Sequence, residues 1–278
     1  MHKQNASTKL MTVFLSIFLI AGILPASVAA ASTEVAYIDG NRVSKSVMAT
    51  PIDNTTTTLT TGWYVVQGNV STTNLTVNGH VSIILADGST LVANSTGDHA
   101  AVRVKSGNSL SLFGQTLGTG SLNAASSGRG AGIGGNGGES SDGESCGAVT
   151  LYGANVTTTS MGGGTGSLTA FSTYDGGSGG TITINGGKVI VSGRIGGGDG
   201  GAGVPGFVVG GDGGNGSALR ITGGTITVSG KIGGGSAGVG SGMFGTTGLA
   251  GAAGTCVITG GSLKAASMQP APTNGTEN

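Results

Sequence analysis

The chain has 278 residues, of which 60 are glycine and 9% are charged, and its formal net charge is zero. This balance excludes a basic nucleic-acid binder and a general attraction to anionic membranes, because both depend on clustered positive charge. With five prolines and no strict three-residue glycine period the chain is not a collagen, and 37% hydrophobic residues argue against a disordered chain.

Residues 1–30 have the pattern of a secretory signal peptide. Two lysines precede an apolar stretch over residues 10–24, and Pro25 and the small residues 26–31 then suit signal peptidase. The alternative, an uncleaved membrane anchor, is weakened because a spanning helix needs about 20 apolar residues. We expect a secreted or cell-surface protein with no membrane span after cleavage.

Residues 31–60 are rich in threonine and show no sustained period, so we expect a linker there. From Trp63 onward, short alternating segments each end in Asn-Gly, Asp-Gly or Ser-Gly, which are strand and turn signals. No window shows a convincing helical period. The sequence therefore predicts an all-β domain.

An internal repeat indicates which kind of β domain this is. Aligned strand positions recur at spacings of 33, 37 and 37 residues, at Leu151, Ile184, Ile221 and Ile258. Each is followed five residues later by another apolar residue. A third short strand, as at 194–196 and 231–233, then leads into a long glycine-rich insertion.

Two arrangements fit three short strands per repeat, a hairpin meander and one coil of a parallel β-helix. Each repeat has too few aliphatic residues to bury a core alone, whereas stacked coils bury one continuous column. We therefore predict a single-stranded parallel β-helix, or solenoid, of about six coils with glycine-rich loop insertions. Its predicted inward ladder is Val77, Val104, Leu151, Ile184, Ile221 and Ile258.

The predicted solenoid has two parts. Shorter-looped N-terminal coils occupy residues 61–128, and the glycine-rich repeats occupy residues 129–267. A polar tail, residues 268–278, follows. Because no capping segment precedes this tail, we expect either that the chain is a fragment or that the open C-terminal edge meets another module or chain.

Several segments carry a resemblance to a known family. The chain resembles the glycine-rich β-helix surface proteins of anaerobic gut Firmicutes, similar in outline to the pectin-lyase-like right-handed β-helix, in segments 62–70, 81–91, 107–115, 130–138 and 179–187. The resemblance covers about residues 61–267. It implies export, cell-surface display and at most a carbohydrate-binding role. Family members often continue into further modules or wall-attachment signals, and this chain departs from them by stopping.

Three phenylalanines recur near the repeat spacing inside successive insertions, at Phe171, Phe207 and Phe244. In stacked coils they would form a row of rings on which the apolar faces of a sugar chain can stack. The row points to an extracellular polysaccharide or the cell wall as partner. The alternative is that each ring anchors its own loop to the body.

Three Asp-Gly pairs each lie nine residues before an aligned strand position, at Asp142, Asp175 and Asp212. Stacked carboxylates would repel one another, and an oxygen-preferring cation such as Ca²⁺ would relieve that repulsion. The sequence otherwise indicates no cofactor. The alternative is an Asp-Gly turn that points into solvent.

The leading functional hypothesis is a secreted or cell-surface structural or adhesive β-solenoid that displays its glycine-rich loops and has no enzymatic activity. The alternative is a glycan-binding module that uses the loop face. A polysaccharide lyase or hydrolase is less favoured, because Arg194 near Asp199 is its one local indication. Cys146 and Cys256 lie about 14 Å apart in this arrangement, too far for a disulfide.

Overall fold

The computed structural model describes residues 31–167, 172–203, 209–240, 246–269 and 273–274. These ranges form strands and no helix, and nothing in them is a helix long and apolar enough to span a membrane. In chain order the strands are β1 (Thr33–Ile38), β2 (Ser44–Pro51), β3 (Thr58–Val66), β4 (Asn69–Thr73), β5 (Leu75–Leu85), β6 (Thr90–Ser95), β7 (Val102–Val104), β8 (Ser109–Phe113), β9 (Ser121–Ser126), β10 (Ile133–Gly134), β11 (Ala148–Tyr152), β12 (Asn155–Thr158), β13 (Met161–Gly162), β14 (Thr181–Ile184), β15 (Lys188–Val191), β16 (Ile195–Gly196), β17 (Ala218–Ile221), β18 (Thr225–Gly233), β19 (Thr255–Ile258), β20 (Ser262–Met268) and β21 (Thr273–Asn274).

From β3 onward the strands wind around one core in three faces. The first face contains β7, β10, β13 and β16, with one end each of β3, β5, β18 and β20. The second face contains β8, β11, β14, β17, β19 and β21, preceded by the remainder of β3 and of β5. The third face contains β4, β6, β9, β12, β15, the start of β18, and β20. Every pairing in these faces is parallel and joins equivalent strands of successive coils, which confirms the predicted β-helix.

Alternation along each strand directs every second side chain inward, so each face contributes a ladder to the core. The second-face ladder is Ile83, Leu112, Leu151, Ile184, Ile221 and Ile258. The third-face ladder is Leu91, Leu122, Val156, Val189, Ile226 and Leu263. The first-face ladder is Val102, Ile133, Met161, Ile195 and Ile232. Apart from Ile258 and Leu263 in the last coil, these side chains are at most 4% exposed.

The N-terminal part of the predicted ladder was wrong. Val77 and Val104 do pair with each other, but on the first face. On the second face their places belong to Ile83 and Leu112. Six residues separate Val77 from Ile83 but eight separate Val104 from Leu112, so the 27-residue spacing between the two valines becomes 29 residues on the second face. Among the described residues the second face also stacks eight strands, from β3 to β21, against the six or so coils expected.

The expected linker at residues 31–60 was also wrong. Strands β1 and β2 form an antiparallel hairpin, and β2 then pairs in parallel with β3. The hairpin covers apolar side chains that point outward from the second face, and with them it forms a second core of Val35, Ala49, Val65, Ile84 and Phe113. Outward apolar side chains on the first coils require such a cover, which the threonine-rich composition obscured.

Both cysteines point into the described core. Cys146 and Cys256 are buried, and no disulfide joins them. Burial raises the pKa of the Cys146 thiol to about 12 and also raises that of Cys256. Because the thiolate is the reactive form, both thiols behave as small apolar core groups.

Candidate binding surface

The glycine-rich insertions leave the first face and return to the second face, so each has an outgoing and a returning arm. Residues 197–203 belong to one outgoing arm and residues 209–217 to its returning arm. Outgoing arms of successive coils are hydrogen bonded to one another, as in Gly200 N–H to Ser236 O at 2.9 Å. Returning arms are likewise joined, as in Gly213 N–H to Leu249 O at 2.8 Å. The arms therefore form two stacked layers, the outgoing layer and the returning layer.

Backbone hydrogen bonds also join the two layers in a zigzag. The N–H of Gly198 donates to Gly177 O at 2.8 Å, and the N–H of Gly214 donates to Gly198 O at 2.8 Å. The series continues from Gly235 to Gly214 at 2.7 Å and from Gly251 to Gly235 at 3.0 Å. The insertions are thus a continuation of the solenoid's hydrogen-bond network.

The hydrogen bonds of each arm follow a period of three residues. In the returning arm, every third backbone N–H donates to the returning arm of the next coil, as at Gly210, Gly213 and Gly216. The next positions, Gly211 and Gly214, donate to the outgoing layer. The remaining positions, Asp212 and Asn215, face outward. Three residues per turn without internal hydrogen bonds is the geometry of polyproline II. The chain therefore has a local three-residue period although its composition is not that of collagen.

Close approach of the backbones explains why the inner positions are glycine. A Cβ on Gly198 would overlap the carbonyl oxygen of Gly164, and one on Gly235 would overlap that of Gly198. In the returning layer, a Cβ on Gly214 would overlap the carbonyl oxygen of Gly177. A side chain does not fit between the arms at these glycines, whereas side chains at the outward third position form rows along the solenoid.

The aspartates singled out in the sequence form one such row on the returning layer. Oδ1 of Asp142 accepts the backbone N–H of Asp175 at 2.9 Å, and Oδ1 of Asp175 accepts that of Asp212 at 2.7 Å. Asp212 in turn accepts the N–H of Leu249 at 2.6 Å. Each carboxylate thus satisfies the outward N–H of the following coil, which neither the calcium hypothesis nor the solvent-facing turn anticipated.

The neighbouring outward row works in the same way with uncharged side chains. Ser145 Oγ accepts the N–H of Ser178 at 3.0 Å, and Asn215 Oδ1 accepts that of Ala252 at 3.0 Å. Within the described ranges, no group of three or more His, Cys, Asp or Glu side chains is placed to hold a metal ion. Calcium binding by the aspartate row stays a prediction.

The predicted phenylalanine row, Phe171, Phe207 and Phe244, lies outside the described residues. Nearby described positions carry exposed aliphatic side chains instead. Val209, Val239 and Leu249 are 51%, 62% and 72% exposed. The described parts of the arms therefore expose apolar side chains of their own.

A groove of about 400 Å³ runs between the solenoid body and the outgoing layer, and it brings three cations together. Arg194 forms an ion pair with Asp199, and its Nη2 donates to Thr165 Oγ1 at 3.1 Å. Lys231 Nζ donates to Ser236 Oγ at 3.1 Å. Arg129 Nε lies 3.4 Å from Asp98 Oδ1.

The electrostatics of this groove favour an attachment role for Arg194. Burial alone would raise the pKa of Asp199, but the charge of Arg194 and the N–H of Ser236 outweigh it and lower that pKa. The pair therefore stays ionised and ties the outgoing arm to the body. Arg194 and Asp199 do meet, as their proximity in the sequence suggested, but as a closed ion pair.

Two groove residues escaped sequence reasoning. Arg194 and Lys231 begin the third short strand of successive repeats. Thr165 lies four residues after Met161 just as Asp199 lies four residues after Ile195, so the repeat could have identified it. Arg129 has no such alignment. Arg129 lies in a short insertion of different length, so no spacing rule identifies it.

Comparison with protein-family models, curated proteins and solved structures finds no match for this chain.

Proposed function

We propose that the protein is an exported structural or adhesive β-solenoid that displays a rigid two-layered glycine platform at the cell surface. The observation that carries the proposal is the hydrogen-bond network running through both layers. Ordering glycine is unfavourable, by roughly 0.5–1 kcal/mol per residue relative to alanine. A network that holds so many glycines in two hydrogen-bonded layers supports a role in display.

The outward rows suit adhesion through many weak contacts. Their side chains are short and recur at every coil, so a repetitive partner such as a cell-wall polysaccharide would meet the same groups repeatedly. The signal-like N-terminal sequence and the resemblance to Firmicutes surface proteins support export. No catalytic step is required of the platform.

Two measurements test this proposal. Fractionation of cells that produce the full chain should place it in the medium or at the surface, and retention in the cytoplasm would contradict export. Beads coated with the protein should bind purified cell walls or polysaccharide without releasing reducing or unsaturated ends. Release of such ends would favour the polysaccharide-cleaving alternative.

The groove supports glycan binding by the loop face as a second candidate function. Lys231 Nζ donates to a hydroxyl group and its charge also acts on Asp199, but it forms no close ion pair within the described ranges. Arg129 has a side chain that is 44% exposed, so both cations can still contact an anionic polymer. Affinity electrophoresis in gels containing acidic or neutral polysaccharide tests this. Lys231→Gln should lose retardation in the acidic gel, whereas Lys264→Gln, on the exposed strand β20, should not. Equal retardation of both variants would show that the groove is not the glycan-binding site.

A further inference from the structure

A second pocket, of about 360 Å³, lies on the solenoid body where the β1–β2 turn meets the corner between the second and third faces. Its wall combines an aromatic ring, Tyr152, with the polar side chains Arg42, Gln115 and Asn185. Glycine backbone, including Gly186, completes the lining. The pocket uses no part of the glycine layers.

The aromatic wall is held in place from behind. The ring of Tyr152 stacks on Phe113 with centroids 4.6 Å apart and an interplanar angle of 9°. The ring centroid of Phe113 in turn lies 5.0 Å from the ring centroids of both Trp63 and Tyr37. Gly40 packs against the same ring, since a Cβ there would lie 2.8 Å from Tyr152 Cε1. Tyr152 therefore presents a fixed apolar surface to the pocket.

The β1–β2 turn holds Arg42 at the pocket. Oδ1 of Asp39 accepts the backbone N–H groups of Asn41 and Val43, each at 2.9 Å, and Oδ2 pairs with Lys45 Nζ at 2.8 Å. Arg42 adopts φ of +62°, in the left-handed region that non-glycine residues rarely occupy. The turn around Asp39 therefore stabilises a backbone conformation that is otherwise uncommon at an arginine.

The guanidinium of Arg42 is the uncompensated charge of this pocket. Asp39, the acidic residue of the lining, is already paired with Lys45. The backbone N–H of Arg42 donates to Asp39 O at 3.0 Å, but its guanidinium has no hydrogen-bond or ion-pair partner among the residues that the structure describes. Its Nη2 lies near Gly223, 3.9 Å from where a Cβ would stand. The guanidinium of Arg42 is therefore available to pair with an anionic ligand.

Asn185 supplies a further polar contact. Its Oδ1 accepts the hydroxyl of Thr222 at 2.7 Å, and this orients the amide so that its NH₂ group remains available as a donor. Both ends of the Gln115 amide already have partners, because its Oε1 accepts the N–H of Asp87 and its Nε2 donates to Ala36 O. Gln115 thus shapes the wall, and Asn185 is the amide placed to bind.

We propose that this pocket binds a carboxylate-bearing sugar, such as a uronic acid. The apolar face of the pyranose ring stacks on Tyr152, the carboxylate pairs with Arg42, and ring hydroxyls accept from Asn185. Guanidinium geometry matches a carboxylate bidentately, and one aromatic face bordered by polar groups suits a sugar ring better than a lipid chain. The inference goes beyond the proposed display function and does not depend on it.

Isothermal titration calorimetry of the full chain tests the pocket. Glucuronate and galacturonate should bind, while glucose and galactose, which lack the carboxylate, and acetate, which lacks the ring, should bind about tenfold more weakly or worse. No binding of either uronate at millimolar concentration would overturn the proposal, and so would acetate binding as tightly as they do.

Variants separate the two contacts. Arg42→Gln should weaken uronate binding about tenfold or more, and Tyr152→Leu should weaken it while Tyr152→Phe, which keeps the ring, does not. Lys264→Gln removes a positive charge from a distant exposed strand and should leave binding unchanged. Equal uronate affinity for Arg42→Gln and the unaltered chain would overturn the proposal. Trp63 emission verifies that each variant keeps its aromatic cluster folded.

A comparison of ligand lengths identifies the source of the sugar. An oligouronate that binds no tighter than the single sugar indicates a free sugar acid, whereas tighter binding indicates the end of an acidic polymer. Failure of export or of cell-wall adhesion would contradict the display function and leave these titrations unaffected. The two proposals are therefore tested separately.

Discussion

At the scale of single residues, distance between backbones decides which side chains the insertions accept. Inner positions of the arms face a carbonyl oxygen of the adjacent arm, and outward positions face solvent or a neighbouring coil. A glycine in this protein is therefore replaceable or not according to its position within a three-residue turn.

Gly198→Ala tests this rule. We expect destabilisation of about 1–3 kcal/mol, because the added methyl group overlaps the carbonyl oxygen of Gly164 and forces the layers apart. Urea unfolding followed by Trp63 fluorescence measures the change. The matched control is Gly186→Ala, whose methyl group would lie at an ordinary 3.5 Å from Gly153. Equal stability of the two variants would contradict the close packing of the arms.

The aspartate row offers a second prediction at this scale. Asp175→Ala removes the acceptor of the Asp212 N–H and should lower stability by about 1 kcal/mol. Asp175→Asn keeps an acceptor, as Asn215 does in the next row, and should be close to neutral.

Thermal unfolding with and without Ca²⁺ adds the discriminating measurement for the aspartate row. A calcium-dependent rise in midpoint that Asp175→Asn abolishes would show that the row binds the ion, and it would revise the structural role assigned to these carboxylates. Equal losses in both variants would show that the hydrogen-bond acceptor is not what matters.

At the scale of elements, arms of both layers are attached to the solenoid body by ionised side chains. Asp199 is held by Arg194, and in an earlier coil Glu144 is held by Arg103. Burial alone would raise the pKa of Glu144, but its contacts with Arg103 and the Asn136 N–H lower it instead. Both carboxylates therefore contribute stability in their charged form.

This attachment predicts an acid-sensitive fold. A carboxylate whose pKa is lower in the folded state contributes its full stability above its unfolded pKa, about 4, and loses it as the pH falls through the folded value. We expect the free energy of unfolding to be constant from pH 7 to about 5 and to fall below about 4. Asp199→Asn should reduce the slope of that fall. An identical acid profile in this variant would show that the ion pair does not attach the arm.

The elements also show what sequence reasoning can reach. The second and third faces were predictable from the glycine-rich repeats, because the five-residue offset between Leu151 and Val156 recurs in each copy. The β1–β2 hairpin was not, because its inward residues serve a small satellite core around Phe113 and leave no long alternating pattern. Pattern methods detect an element when its burial is regular, and this hairpin is only partly buried.

The candidate sites divide in the same way. Alignment at the repeat spacing placed Asp142, Asp175 and Asp212 in one row, but their hydrogen bonds depend on arm geometry that spacing does not specify. The pocket at Tyr152 joins residues from the hairpin turn to residues more than one hundred positions later. Such a pocket is formed by tertiary contacts between distant segments, so no sequence motif predicts it.

At the scale of the whole molecule, one hydrogen-bond network extends from the β-helix into the glycine layers. In the β-helix, each coil pairs with the next through three faces of parallel strands. In the layers, the same coil-to-coil repeat is continued by backbone donors of the arms, in two directions at once. We therefore expect the insertions and the β-helix to resist opening together, as one cooperative unit.

Residue-resolved amide hydrogen exchange on the folded full chain tests this claim most directly. We expect the amides of Gly198, Gly214 and Gly235 to be protected to a degree similar to those of Ile184 and Ile221 in the second face. Exchange of the three glycine amides at the rate of an unstructured chain, while the strand amides stay protected, would contradict the account.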